Sequence, residues 1–214
     1  LTIKGIIFDS DGTLVDSERM AAGLLRELLA ERDIHLPHDE VLRRFRGVQF
    51  AIFVGELCEE HDHLDAEPFM RDFRSRSLDL FAAGLDAMPG ALDFVRELKL
   101  PKCVASNGPR TKIETCLKTA GLWDVFDGKV VSAYDVNAWK PSPELILAAA
   151  RMLELAAEDC LLVDDSIPGV QAGLAAGARV AGYGDTDFSQ FEGQPGFHHV
   201  PDYNALKTLL ASLG

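Results

Sequence analysis

A chain of 214 residues, 47% hydrophobic and 26% charged, is long enough for one ordinary domain plus a modest second one and has the composition of a soluble globular protein with a substantial core. Lysine and arginine number 21 against 34 aspartates and glutamates, a formal net charge of −13, which repels nucleic acid and anionic membranes and excludes both as expected partners. The same field repels phosphorylated metabolites, so any site for them has to be made locally positive by a metal or by a few placed cations.

The first element is the apolar run Ile3 to Phe8, a strand without polar alternation and therefore one buried on both faces. From Ser17 to Ala83 the spacing is helical throughout, carried first by Leu24, Leu25, Leu28 and Leu29 and later by Phe69, Phe73, Leu78 and Phe81. No strand-like run interrupts it. A further helix is predicted from near Pro89 through Leu92, Val95 and Leu98, then a strand at Cys103 to Ala105 and a helix over 110–120. Short apolar runs follow at Val130–Val131, Cys160 to Val163 and Val180–Ala181, with Ser142 as N-cap and Pro143 as first helical residue of one intervening helix and Pro168 opening another. The stretch 182–203, rich in Gly, Asp, Pro and His, reads as loop, so the pair His198–His199 is expected on the surface rather than at a metal. A closing helix is expected near Ala205 to Leu213. Trp123, Phe126 and Tyr134 are expected in the core. This alternation predicts a doubly wound, Rossmann-like parallel α/β core (1–16 and 87–214) with an inserted all-helical cap (17–86). Four cysteines without paired spacing, and no leader or long apolar stretch, point to a reducing compartment, the cytoplasm, and to neither a disulfide framework nor a zinc site.

Chemistry concentrates where the strands end. The first strand runs into Asp9-Ser10-Asp11-Gly12-Thr13, and in open α/β sheets ligands bind outside the C-terminal strand ends. Asp-Gly is also a common turn dipeptide, so the pair alone does not decide between a site and a turn. Two acids so close repel unless a cation or a shared proton holds them, and hard oxygen ligands favour Mg²⁺. The second strand ends in Ser106-Asn107-Gly108-Pro109, just before a helix whose free N–H groups can hold an anion. Lys140, between Trp139 and Pro141, is a placed cation, and the fourth strand ends in Asp164-Asp165. One cation between Asp9, Asp11, Asp164 and Asp165 would satisfy all four acids.

Asp9-x-Asp11-Gly12-Thr13, Ser106, Lys140 and Asp164-Asp165 resemble, in order, the four signature motifs of the haloacid dehalogenase-like superfamily, and the helical insertion resembles its C1 cap. Val104-Ala105-Ser106-Asn107-Gly108-Pro109, Trp139-Lys140-Pro141 and Arg44-Phe45-Arg46-Gly47-Val48 look like the 6-phosphogluconate phosphatase group, kin to β-phosphoglucomutase. The resemblance implies a Mg²⁺-dependent phosphatase acting as a monomer on a small sugar or sugar-acid phosphate, 6-phosphogluconate first. Asp9 would be the nucleophile and Asp11 the acid and base. The Asp9 side chain, the Asp11 carbonyl and the acids Asp164 and Asp165 would hold the metal, with Asp165 the first choice for a direct ligand. Ser106 and Asn107 would hold the phosphoryl oxygens, and Lys140 would neutralise charge.

Departures from the family pattern narrow the chemistry. Asp11 excludes dehalogenase chemistry, and the absence of lysine from the insertion excludes a cap Schiff base. Ala21 and Phe50 stand where the mutase has a histidine and an arginine. Two alternatives remain: mutase-like phosphoryl transfer and a non-catalytic phosphometabolite-binding protein. Arg43 and Arg44 read as a solvated helix face, whereas Arg46 and Gln49 are expected to touch the non-phosphate part of the substrate, Arg46 through a carboxylate. Asp16 and Glu18 are assigned no catalysis.

Overall fold

The computed structural model describes residues 2–46 and 48–213; Gly47 lies outside them. In chain order the elements are β1 (Gly5–Phe8), α1 (Ser17–Ala30), α2 (His38–Phe45), α3 (Phe50–Glu60), α4 (Ala66–Ala83) and α5 (Ala91–Glu97). There follow β2 (Lys102–Ser106), α6 (Arg110–Thr119), α7 (Trp123–Phe126), β3 (Val130–Ser132), α8 (Ala133–Val136) and α9 (Glu144–Met152). The chain closes with β4 (Cys160–Asp164), α10 (Ile167–Ala175), β5 (Arg179–Tyr183), β6 (Phe197–Val200) and α11 (Tyr203–Leu213).

The six strands form one parallel sheet in the order β3-β2-β1-β4-β5-β6. The chain winds outward from β1 in one direction and from β4 in the other, so the topological switch point lies between these two central strands. Their register sets Phe8 opposite Val104 on one side and Val163 on the other, which brings the ends of β1, β2 and β4 level. Side-chain alternation divides the core. Ile6 and Phe8 face a layer containing Val104, Leu161 and Val163, while Ile7 faces another with Cys103, Leu162 and Val180. Both faces are covered by helices, which explains the unbroken apolar runs in the sequence.

Between β1 and α5 the chain forms α1–α4 with no strand among the described residues. It leaves and re-enters the sheet through adjacent segments: the Asp16 N–H donates to Asp86 O (3.1 Å) and the Met88 N–H to Leu14 O (2.8 Å). The interior of this helical insertion, including Leu25, Phe53 and Phe69, joins the Phe8 side of the core, and α4 packs against α6. No helix among the described residues is long and apolar enough to cross a membrane.

Three sequence expectations need correction, and one helix start is newly defined. The stretch read as loop contains β6, an edge strand paired with β5, so His198 and His199 sit on a strand, and His199 Nε2 bonds Gly184 O at 2.8 Å. Helix α9 begins at Glu144 with Pro143 as its N-cap, and the Ser142 hydroxyl contacts the Glu144 carboxylate instead of capping. The helix after β2 is capped by Pro109, which leaves Ser106 and Asn107 free of capping duty. Tyr134 is 47% exposed, edge-on to Trp139, and not in the core. The cysteines fit the structural reading: burial first raises Cys116 to about 12 and Cys160 to about 11, far from a reactive thiolate.

Helix α10 rides on the sheet through Gly173, where a Cβ would come within 2.6 Å of Val180 and 2.7 Å of Leu162. Gly173→Val should therefore overpack this contact and lower the unfolding free energy by ~1–3 kcal/mol, read as a lower urea midpoint at unchanged slope.

Candidate active site

The loop leaving β1 is closed on itself. Leu14 and Val15 N–H groups both donate to Ser10 O (2.9 and 3.0 Å), and the Gly12 N–H donates to Val15 O. Gly12 has φ +77°, and a Cβ there would run into the Asp165 carboxylate, so only glycine lets the ends of β1 and β4 approach this closely. The turn presents Asp9 and Asp11 on a cavity of about 320 Å³ whose floor also carries Ser106, Lys112, Lys140 and Asp165.

Lys140 is the centre of that floor. Its Nζ donates to Asp9 Oδ1 (2.5 Å), Asp164 Oδ2 (2.7 Å) and Ala105 O (2.8 Å), so all three ammonium protons are used by the ends of β1, β4 and β2. Burial alone would lower its pKa, but Asp164 and Asp9 hold it above the usual lysine range. Asn107 places the lysine. Its side-chain carbonyl accepts the Lys140 N–H (2.9 Å) and its amide donates to Lys140 O (3.5 Å). Asn107, expected to hold phosphoryl oxygens, is thus engaged with Lys140's backbone. Ser106 Oγ accepts the Gly108 N–H (3.1 Å), leaving its own proton for an acceptor in the cavity beside the start of α6.

Asp11 is held apart from the other acids. Its carboxylate accepts from Lys112 Nζ (2.8 Å) and from the Ser17 hydroxyl. Burial pushes its pKa up, yet Lys112, Ser17 and Lys140 together bring it below the usual carboxylate value. Lys112 was not singled out from the sequence, although a signal was present: a lysine in the first turn of a helix opposes the macrodipole and needs an acid nearby. Tyr203 and Thr13 were also missed. The Tyr203 hydroxyl donates to Thr13 O (2.7 Å), and Thr13 Oγ1 donates to Asp165 Oδ1 (3.1 Å), which ties α11 to the floor.

Asp164 accepts the Ser166 N–H (3.0 Å) and hydroxyl (2.7 Å) besides Lys140, and a Cβ at Gly169 would collide with its carboxylate. With Asp11 and Asp164 turned to these partners, no group of three or more acidic, His or Cys side chains among the described residues is placed to hold a metal ion. The four-acid cage expected from the sequence is therefore not preformed by side chains. Asp9 and Asp165 nevertheless keep the character of cation ligands. Both are buried, and burial raises both pKa values well above the usual range; Asp164 adds repulsion to each, with Asp11 acting on Asp9 and Glu18 on Asp165. Hard oxygen donors with negative charge that Lys140 and Arg46 do not fully offset suit Mg²⁺.

Gln49 lines the cavity as expected, and Arg46 does not. Arg46 Nε donates to Glu18 Oε2 and its NH1 to Asp185 Oδ1, both at 3.0 Å, in a second cleft behind Asp165. It bridges the helical insertion to the loop after β5.

Replacing Lys140 by methionine should leave two buried carboxylates without their cation, at about 3–5 kcal/mol of unfolding free energy. Denaturant titration in EDTA measures this. Asp9 has a folded pKa above its unfolded one, so its protonation favours the fold, and the deficit should be smaller at mildly acidic than at mildly alkaline pH.

Residues 3–177 match the model of the haloacid dehalogenase-like hydrolases. The chain is 35% identical over 179 residues to 6-phosphogluconate phosphatase of Escherichia coli (83% of this chain, 81% of that one) and 32% identical over 188 residues to hexitol phosphatase A of the same organism (83% and 81%). A crystal structure of a haloacid dehalogenase family hydrolase from Deinococcus radiodurans, with bound phosphate and sodium, superposes with a TM-score of 0.81 at 28% identity, over 99% of this chain and 96% of that one. The chain belongs to the haloacid dehalogenase-like hydrolase family and stands among its phosphatases.

Proposed function

We propose that this chain is a Mg²⁺-dependent phosphatase of small sugar or sugar-acid phosphate monoesters, with 6-phosphogluconate as the first substrate, working through a phosphoryl group carried on Asp9. The observation that carries the reading is the pairing of two differently held carboxylates in one cavity. Asp9 is fixed against Lys140, and Asp11, two residues on, is held against Lys112.

In this reading an Asp9 oxygen attacks phosphorus, the bond from phosphorus to the ester oxygen breaks, and protonated Asp11 delivers a proton to the leaving alcohol. Asp11 in its ionised form, the form held by Lys112, then takes a proton from the water that attacks the phosphorus of the aspartyl-phosphate; phosphate leaves and Asp9 is restored. Lys140 keeps its charge through both steps because its pKa is raised, and Ser106 with the start of α6 supplies donors to the phosphoryl oxygens. Mg²⁺, held by the Asp9 and Asp165 side chains and the Asp11 backbone carbonyl, would supply the positive charge that lets an anionic nucleophile meet an anionic phosphate. The Deinococcus relative is a structure with bound phosphate and sodium, which supports a chain of this fold taking up an anion and a cation.

Residues 17–86 act in this scheme as a cap, their helices roofing the cavity with Phe45, Val48, Phe50 and Phe73 and excluding bulk water. Phe50 in that roof, standing where the resemblance places the mutase's arginine, supports hydrolysis over mutase chemistry. Hydrolysis of p-nitrophenyl phosphate should require Mg²⁺, stop in EDTA and return on adding the metal. Asp9→Asn should abolish it, and Asp11→Asn should lower kcat by about 10²–10⁴-fold. Over a panel of phosphorylated sugars and sugar acids, inorganic phosphate should be released; conversion to an isomeric sugar phosphate without release would instead establish a mutase.

A further inference from the structure

The cavity has three lining cations among the described residues, and two are spoken for: Lys140 by Asp9 and Asp164, Lys112 by Asp11. The third is Arg74 on α4. It lines the cavity yet is exposed, which puts it at the mouth, and among the described residues its guanidinium has no hydrogen-bond or ion-pair partner. By contrast, Arg32, Arg44, Arg46, Arg76 and Arg110 each pair with a carboxylate. The rest of the roof is mostly apolar. Its other polar side chains are Ser17, Glu18, Gln49 and Ser77, and the Ser77 hydroxyl already donates to Arg74 O.

The position of Arg74 along α4 gives the span. Phe81, two helical turns further on, carries Lys112 Nζ 5.7 Å from its ring centroid, and that ammonium is 2.8 Å from Asp11. Arg74 therefore stands roughly 10 Å up the helix from the reacting corner, at 1.5 Å rise per residue. A phosphorylated chain of about six carbons reaches across this distance to a guanidinium with its own flexible stem.

We propose that Arg74 is the residue that selects the substrate's far end, and that it selects phosphate monoesters bearing a second anionic group, a carboxylate, remote from the phosphate. The inference rests on the phosphatase reading for its reacting end only. A planar guanidinium takes a carboxylate through two parallel bonds, whereas a terminal hydroxyl offers it one weak acceptor. Elsewhere the acidic surface would repel such a group, so this one free cation decides whether it is accepted.

The test compares 6-phosphogluconate with glucitol 6-phosphate, which share a carbon chain and differ at the far end. Arg74→Ala should reduce the kcat/KM preference for 6-phosphogluconate by about 10-fold or more, chiefly through KM, and Arg74→Lys should restore part of it. Binding of 6-phosphogluconate to Asp9→Asn, with and without Arg74→Ala, should show the same loss in Kd. Turnover of p-nitrophenyl phosphate with an unchanged preference and Kd in Arg74→Ala overturns the subsite and leaves the phosphatase standing. No turnover, with Arg74-dependent binding, overturns the phosphatase and leaves the subsite. Neither turnover nor binding overturns both.

Discussion

Lys140 is where the sheet and the chemistry become one problem. Parallel strands buried on both faces end together at the switch point, and in this chain the ends of β1 and β4 both carry carboxylates. Two buried acids at that distance would drive the strand ends apart or take up protons. A single ammonium, reaching Asp9, Asp164 and the carbonyl at the end of β2, holds three strands by their functional ends. The desolvation of a buried lysine is repaid only when every proton has an acceptor, and here each does. The other fittings follow from this bridge. Asn107 fixes the lysine's backbone, and Gly12 and Gly169 leave room for the Asp165 and Asp164 carboxylates.

The same bridge divides labour among the acids. Asp9 has burial and like charges against it and one cation for it, whereas Asp11 has a cation of its own in Lys112 and a hydroxyl in Ser17. Their pKa values are pushed in opposite directions by surroundings a few ångströms apart, so the two acids of one loop are not equivalent, and Lys112 favours the ionised form of Asp11, the form able to accept a proton. The surroundings of Asp11 are set by α6, whose first turn carries Lys112.

The strand-end acids were legible because a buried parallel strand leaves an apolar run, and a polar residue at its end stands out against it. The helical insertion was legible because its apolar spacing never changed period. Strand β6 was not, since an edge strand paired on one side needs few apolar residues, and Phe197 to Val200 offers two around a histidine pair. The direction of Arg46 could not be read either. Its carboxylate partners, Glu18 and Asp185, come from α1 and from the loop after β5, a meeting that exists only after the insertion has docked on the sheet. Asn107 misled for a related reason: an amide at a strand end suits an anion and a backbone equally well, and the nearby Lys140 peptide claimed it.

What remains is why a family with one floor can serve many phosphate esters. The floor is over-determined, each side chain held by two or three others, so substitution there changes stability and chemistry together. The roof is different. Phe45, Phe50 and Phe73 pack edge-on or tilted against one another across α2, α3 and α4, with ring centroids 4.5–6.2 Å apart, and contribute shape and dryness without discriminating among polar ends. On such a wall a single cationic side chain has more influence on selection than it would among many other polar groups. Arg74 has that setting, at the mouth and free of the ion pairs that occupy Arg44 and Arg46 on the same insertion. In the proposed reading, reaction and selection fall to different elements, the first to strand ends that cannot move independently, the second to a helix that can change one residue without disturbing the site.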